Sequence, residues 1–196
     1  MDLKLLKQMV ARKDLWLVSC LFLLHNFVLY TWAGWLPQYL TSIGASADKA
    51  GLITSVTLWV GLPSVLLLSQ LSSRLQRRKP FLWGPTILLA ITTFAILHVN
   101  IPLTWMIAAF TGIATSVRFS TILALPVEMV EPNQSGSASG MTMSVGYTGA
   151  LLGPVIGGII LDATGSYTGV FLTLAGLSLI TIALTFMVPE TGGSHS

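Results

Sequence analysis

The stretch LWLVSCLFLLHNFVLYTWAGWLPQYL, Leu15 to Leu40, contains no Asp, Glu, Lys or Arg. A helix needs about 20 consecutive apolar residues to cross the roughly 30 Å hydrocarbon core of a bilayer, so this stretch is long enough to span a membrane. A basic segment precedes it, as in a signal peptide, but the apolar run is too long and no small-residue cleavage site follows closely. We therefore predict a retained transmembrane helix.

Five further apolar stretches follow along the 196-residue chain. Short breaks rich in Gly, Pro, Asn, Ser and charged residues separate them, and loops this short suit antiparallel neighbouring helices. The predicted spans are about 15–39, 50–71, 81–99, 103–125, 137–161 and 169–188. The sequence thus predicts an all-α membrane protein, with a six-helix bundle over 15–188, an N-terminal segment 1–14 and a tail 189–196.

The composition agrees with a membrane location. The chain is 53% hydrophobic and 9% charged, whereas soluble domains carry about 25% charged residues. Lipid is therefore the expected solvent for most of the exterior, which makes the bilayer the first partner. The slight basic excess lies in two short clusters and not along a groove, which argues against nucleic-acid binding.

Enzyme chemistry finds no support in the motifs. The sequence has no His-Glu-x-x-His, no Gly-x-Ser-x-Gly, no phosphate-binding Gly-x4-Gly-Lys-Ser/Thr loop and no carboxylate pair within the spans. Its single cysteine, Cys20, can form neither a disulfide framework nor a cysteine metal site. We predict neither an enzyme nor a cofactor or metal site.

Basic residues fall on one side of the predicted bundle. They precede the first span and follow the second, whereas only Lys49 lies opposite: Lys4, Lys7, Arg12, Lys13, Arg74, Arg77, Arg78 and Lys79. The positive-inside rule then predicts a multi-pass protein of the cell (inner) membrane with both termini and the 74–79 loop in the cytoplasm. The simplest interpretation of that loop is a topology determinant that contacts anionic lipid. The alternative is that its basic side chains pin the ends of the neighbouring helices.

The fifth predicted span is rich in small residues. Glycines remove side chains from one broad surface, so that a neighbouring backbone can approach closely: Gly140, Gly146, Gly149, Gly153, Gly157 and Gly158. Pro154 deletes one helical hydrogen bond and predicts a kink. Tight packing and a gating bend are both open interpretations of this span.

Polar side chains deep in apolar sequence are costly in lipid and usually face a bundle interior or water. Here they occur in the first and fourth spans, as His25, Asn26 and Tyr30 in the first and Arg118 in the fourth. At 1.5 Å per residue, His25 lies roughly 15 Å and Arg118 roughly 10 Å from the same end of the bundle. One solute could therefore touch both, and these four residues form the candidate binding site.

Each of these residues has two interpretations. The guanidinium of Arg118 suits the oxygens of a small anion, but it could instead snorkel to the headgroups or anchor the loop at Glu128 or Glu131. His25 could couple proton entry to solute entry, or could be a neutral histidine hydrogen-bonded across helices. Asn26 and Tyr30 could donate to a ligand or hold helices together.

Four segments resemble the major facilitator superfamily. Ser69 to Arg78 is similar to the family's Gly-x-Leu-x-Asp-Arg-x-Gly-Arg-Arg signature, with Ser69, Ser73 and Gln76 where that motif has Gly, Asp and Gly. The glycine spacing from Gly140 to Gly158 matches the family's antiporter motif, which usually belongs to the fifth helix of the first half. Similar glycine-proline runs also occur in the family's eleventh helix. The ending Pro189-Glu190-Thr191-Gly192 is similar to that of family members. Together with the incomplete match of the Ser69 to Arg78 segment, it favours the second six-helix half of the family. The run Trp35 to Leu40 looks most like the cyanate and nitrate-type small-anion branch.

The resemblance implies a fold and a mechanism. It implies two inverted three-helix repeats whose first helices, here the first and fourth spans, line a central cavity. It also implies secondary transport of a small anionic or polar solute by alternating access. Because that mechanism uses twelve helices, the chain would need a second six-helix half, either an N-terminal half or another copy. The alternative is a non-transporting half that acts as an assembly or regulatory subunit.

Overall fold

The computed structural model describes residues 8–75 and 77–191. Predictions that involve Lys4, Lys7, Gln76 and Gly192 lie outside the described residues. Within them the fold contains helices and turns and no strand.

Six long helices confirm the predicted all-α membrane fold. They are α1 (Lys13–Ser42), α2 (Ala47–Leu75), α3 (Pro80–Ala95), α4 (Ile101–Glu128), α5 (Ser135–Thr164) and α6 (Tyr167–Met187). Single 3-10 turns at Ile96–His98 and Pro132–Gln134 follow α3 and precede α5. All six helical stretches are long and apolar enough to cross a membrane.

Capping residues fix several of the helix ends. The Asn100 side chain accepts a hydrogen bond from the backbone N–H of Leu103 and caps α4. Gly165 adopts a left-handed conformation (φ 64°) that ends α5, and its N–H donates to the Leu161 carbonyl. Ser166 then caps α6 through the N–H of Thr168. These caps keep the α5–α6 connection to two residues.

The packing pattern is that of two related triplets, α1–α3 and α4–α6. The main neighbour of α1 is α5, and the main neighbour of α4 in the other triplet is α2; α3 and α6 pack against each other. Exchanging the triplets turns the α1–α5 pair into α4–α2 and leaves the α3–α6 pair unchanged. The arrangement therefore agrees with two inverted three-helix repeats.

Glycines bring α5 directly onto α1. A Cβ at Gly149 would overlap the Leu23 carbonyl, and one at Gly153 would meet the Phe27 carbonyl at 2.6 Å. The predicted glycine surface is narrower than expected, because Gly140 has no neighbour within 4 Å of a built Cβ.

Nearer the Gly165 end of α5, a single α1 side chain lies against two further glycines. Cβ atoms on Gly157 and Gly158 would both contact the Trp35 indole, whose Nε1 donates to the Pro154 carbonyl at 3.0 Å. The close packing of α5 on α1 is thus a feature of the structure, whereas the gating bend stays a prediction.

The basic loop is tied to the helix ends around it. Arg78 pairs with Glu128 at the end of α4, with Nε 3.0 Å from Oε1, and its Nη1 donates to Ser72 of α2 at 2.9 Å. Glu190, after α6, accepts from the backbone N–H groups of Arg78 and Lys79, and Thr191 donates to Glu128. We call this end of the bundle the basic end. Arg74 and Arg77 lie exposed beside the network.

Candidate solute-binding site

An open pocket of about 590 Å³ lies on the face formed by α1, α2, α4 and α5. Its wall combines aliphatic and aromatic groups with one amide and several hydroxyls: Asn26, Leu29, Tyr30, Thr57, Leu58, Leu62, Val65, Thr115, Ser116, Phe119, Ser120, Leu123 and Tyr147. None of these residues carries a formal charge. An apolar cavity with a few placed polar groups is the usual form of a small-molecule site.

Two of the four predicted site residues line this pocket. Asn26 is fully buried in its wall, and its Nδ2 donates to the Gly146 carbonyl of α5 at 3.2 Å. Its Oδ1 has no hydrogen-bond partner among the described residues. Tyr30, one turn further along α1, is 43% exposed. Asn26 therefore holds α1 to α5 through one atom and leaves a second polar atom unpaired.

Arg118 lies behind the pocket wall. It is completely buried, and among residues 8–75 and 77–191 its guanidinium makes one long hydrogen bond, 3.5 Å from Nη2 to the Leu21 carbonyl of α1. Its Nε and Nη1 have no partner within the described part of the chain. On α4 the pocket side chains Thr115 and Phe119 are one turn apart, and the 100° step per residue turns Arg118 away from them toward α1.

The alternative roles for Arg118 do not agree with these contacts. A snorkelling side chain would expose its guanidinium, but Arg118 has no exposed surface. Glu128 is bonded to Arg78 and Thr191 instead. Among the described residues Arg118 neither reaches the surface nor bonds Glu128 or Glu131, because α4 points this residue into the bundle.

His25 lies in the same interior region, one turn after Leu21 on α1. It is fully buried between the rings of Phe22 and Phe119, whose centroids lie 6.3 and 5.8 Å from its own. Neither ring nitrogen has a hydrogen-bond partner among the described residues. The predicted alternative of a histidine hydrogen-bonded across helices is thus not what the structure contains.

An aromatic layer separates the two pairs of candidates. Phe119 lines the pocket on one side and contacts His25 on the other. Phe22 contacts Phe119 and the pocket residue Tyr147, both with ring centroids 5.6 Å apart. The structure brings Asn26 and Tyr30 to the pocket and places His25 and Arg118 immediately behind its aromatic wall.

Sequence reasoning missed the hydroxyls that complete the pocket. Ser116 and Ser120 lie four residues apart on one face of α4, a spacing that could have been noticed, and Thr115 lies beside them in the wall. Thr57 and Tyr147 bring α2 and α5 into the wall. The expectation that the first and fourth spans line the cavity was therefore incomplete. A lone Thr in an apolar span carries no signal of its own, since most such hydroxyls bond their own helix.

No acidic side chain of the described residues bonds Arg118 in the polar interior. Within residues 8–75 and 77–191, no cluster of His, Cys, Asp and Glu could hold a metal ion. The two salt bridges of these residues, Arg12–Asp14 and Arg78–Glu128, lie at the basic end. Arg118 is thus a buried guanidinium with two free donors and no described carboxylate beside it, an arrangement suited to an anion.

Comparison with known proteins gives the class to which this fold and site belong. Residues 15–196 match the Major Facilitator Superfamily, and the chain belongs to that family. It is 30% identical to the uncharacterized transporter YycB of Bacillus subtilis over 81% of this chain and 40% of that protein. The family match confirms the predicted resemblance.

Two further relatives are named for their substrates. The hexuronate transporter of Bacillus subtilis is 26% identical over 87% of this chain and 43% of its own length. The cyanate transport protein CynX of Escherichia coli is 25% identical over 87% of this chain and 45% of its own length. The chain thus spans about two fifths of the length of these relatives. Their names are those of transporters and not enzymes, in agreement with the prediction.

Proposed function

We propose that this chain is one six-helix half of a secondary transporter that moves a small anionic or polar solute by alternating access. The observation that carries the proposal is the buried, uncompensated Arg118 beside a polar pocket. A permanently charged group costs several kcal/mol, in order of magnitude, to bury without a counterion. A bound anion removes that cost, which gives the protein a reason to retain the arginine.

The aromatic wall defines how a solute reaches Arg118. Phe119 is the common neighbour of the pocket and of the His25 region, so rotation of its ring connects the two. The anion then accepts hydrogen bonds from Nε and Nη1, the two donors that have no partner. Asn26 and Tyr30 contact the remainder of the solute in the pocket.

Alternating access requires a second half. The pocket is open on the face of α1, α2, α4 and α5, so this chain supplies one wall of a cavity. A second bundle, either an N-terminal half or another copy of this chain, supplies the opposite wall and the gates. The lengths of the relatives, more than twice that of the matched region, support this pairing.

His25 is the proposed proton carrier of the site. It lies in the same interior region as Arg118, and both of its ring nitrogens lack partners. We place the protein in the cell membrane with both termini and the basic end in the cytoplasm, on the distribution of its basic residues. In this orientation proton and anion enter together from the outside.

The experiment is uptake of labelled small anions by proteoliposomes that contain the assembled transporter. Replacing Arg118 by Gln should abolish uptake, since the amide keeps hydrogen-bonding capacity but removes the charge. Arg74→Gln, at an exposed position of the basic end, is the matched control and should retain uptake. Wild-type rates in the Arg118→Gln protein would contradict the proposal, and no uptake by any form would favour a non-transporting subunit.

Proton coupling is tested separately with His25→Gln. The variant should still bind anion but lose the stimulation of uptake by an inward proton gradient. His98→Gln, outside the spanning interior, serves as the control. If the His25→Gln protein kept its full response to the gradient, the coupling role of His25 would be lost while the anion site would stand.

A further inference from the structure

We infer that the transported solute carries a hydroxyl group beside its anionic group, and that Asn26 selects it through its unpaired Oδ1. This inference rests on the proposed function and narrows its substrate class. The starting observation is that Oδ1 of Asn26 has no hydrogen-bond partner among the described residues. A second unpaired polar atom in the same pocket also suits a solute with a hydroxyl group.

The orientation of the Asn26 amide follows from its partner. The Gly146 carbonyl can only accept a hydrogen bond, so the NH2 group of Asn26 must face it, at 3.2 Å. The amide oxygen is therefore the atom that points away from α5, whichever way the two amide atoms are assigned. Oδ1 is an acceptor, and what it lacks is a donor.

An unpaired acceptor at this depth is unusual. Asn26 has no exposed surface, and leaving a buried polar atom without a partner costs about 1–3 kcal/mol. Such atoms in native structures are few and call for an explanation. Because Asn26 lines the pocket, a donor on the solute supplies the missing bond.

A second buried polar atom stands in the same wall without a partner. The Thr57 side chain of α2 is 5% exposed and lines the pocket, and its Oγ1 has no hydrogen-bond partner in the described part of the chain. Most buried threonines of this bundle bond a carbonyl of their own helix, as Thr121 does with Val117 at 2.8 Å. A hydroxyl that forgoes this bond is free to pair with a solute.

The chemistry of the missing donor separates two classes of anion. Nitrate and cyanate have acceptor atoms only, so they satisfy Arg118 but leave Oδ1 of Asn26 unpaired. A hydroxylated carboxylate satisfies both, with its carboxylate on the guanidinium and a hydroxyl donating to Oδ1. The half-exposed rings of Tyr30 and Tyr147 line the same pocket as Asn26, and in the proposed complex they move aside to admit the hydroxyl.

The test compares anions that differ only in hydroxyls. Uptake by the assembled transporter is measured for malate against succinate and for galactarate against adipate, with nitrate and cyanate as acceptor-only anions. We expect at least one hydroxylated member to be taken up at least about tenfold faster than its partner, because a site built around a solute hydroxyl discriminates strongly against its absence.

Variants of Asn26 and Thr57 test whether these two residues cause the preference for hydroxylated anions. Asn26→Leu keeps the approximate size but removes the acceptor, and should bring the paired rates together. Because it also removes the bond to Gly146, Thr57→Val is the second variant. It breaks no bond within the protein and should reduce the same preference. Thr54→Val, whose hydroxyl bonds Ala50 on the same helix, is the control and should keep it.

The possible outcomes distinguish failure of the hydroxyl requirement from failure of the proposed transport function. Equal uptake within both pairs, or fastest uptake of nitrate or cyanate, overturns the hydroxyl requirement and leaves the transporter proposal in place. A hydroxyl preference that survives both Asn26→Leu and Thr57→Val overturns the assignment to Asn26. If none of the six anions is taken up, the proposed anion transport fails and this inference fails with it.

Discussion

The contacts α1–α5 and α2–α4 occupy equivalent positions in the two repeats but are built differently. In α1–α5 the glycines whose Cβ would overlap the facing helix come from α5, and Gly146, Gly149, Gly153 and Gly157 each lie against a backbone or ring of α1. In α2–α4 each helix supplies one glycine. A Cβ at Gly112 would overlap the Thr57 carbonyl, and one at Gly61 would overlap only the Ser116 hydroxyl.

The difference shows which part of the site is held most firmly. From Gly146 to Gly157 the α1–α5 contact extends about 16 Å along the helix, and His25 and Asn26 lie on the helix that it fixes. The glycine approach between α2 and α4 is limited to Gly61 and Gly112 and coincides with the pocket itself, since Thr57 and Ser116 line it. Close glycine contacts therefore hold α1 against α5 over a longer stretch than they hold α2 against α4.

The largest effect is expected for Gly149→Ala. The new Cβ meets backbone atoms of Leu23 that cannot rotate away, so the helices must separate and the neighbouring glycine contacts loosen with them. We expect destabilisation of about 3 kcal/mol or more, measured as thermal unfolding of the purified chain in detergent. Gly140→Ala is the control and should not destabilise, because nothing lies near its Cβ. Equal melting of the two variants would show that the α1–α5 contact is not close.

A smaller effect is expected for Gly112→Ala in the α2–α4 contact. Its Cβ also meets backbone, at Thr57, but a local shift of α2 relieves the overlap because only one such contact is present. We expect about 1–3 kcal/mol by the same measurement. Gly51→Ala, in open space on α2, is the control. A loss larger than that of Gly149→Ala would reverse the order of the two contacts.

The smallest effect is expected for Gly61→Ala. The obstacle is mainly the Ser116 hydroxyl, which can rotate, so the cost should be below about 1 kcal/mol. Adding Ser116→Ala removes the obstacle and should restore stability, a coupling that a double-mutant cycle measures. If the double variant is no more stable than Gly61→Ala, the contact with the Gly112 carbonyl limits the approach instead.

The sequence was sufficient for the fold because its signals are long and local. Apolar runs interrupted by Asn100, Gly165 and Ser166 identify helices and their ends without knowledge of their neighbours. The position of Arg118 deep in an apolar span could be predicted for the same reason, because it follows from the sequence on either side of it. These features depend on the solvent around a segment and not on its partners.

The site could be predicted only in part, because its arrangement depends on rotation about the helix axes. Neighbouring residues diverge by 100°, which sends Asn26 to the pocket and His25 behind it. Whether the Asn26 amide bonds the Gly146 carbonyl depends on how closely α5 approaches α1. No local sequence pattern predicts that distance. Thr57 joins the wall only because α2 crosses α4 at Gly112.

The network at the basic end joins four segments through a few side chains. Arg78 and Glu128 connect the start of α3 to the end of α4, Ser72 adds α2, and Glu190 adds the segment after α6. Pulling on any one of these segments therefore pulls on the other three. A single charge change at Glu128 would free the end of α4 from Arg78 and Thr191, while Ser72 and Glu190 would stay bonded to the loop before α3. One carboxylate therefore decides whether α4 turns together with the rest of this end of the bundle.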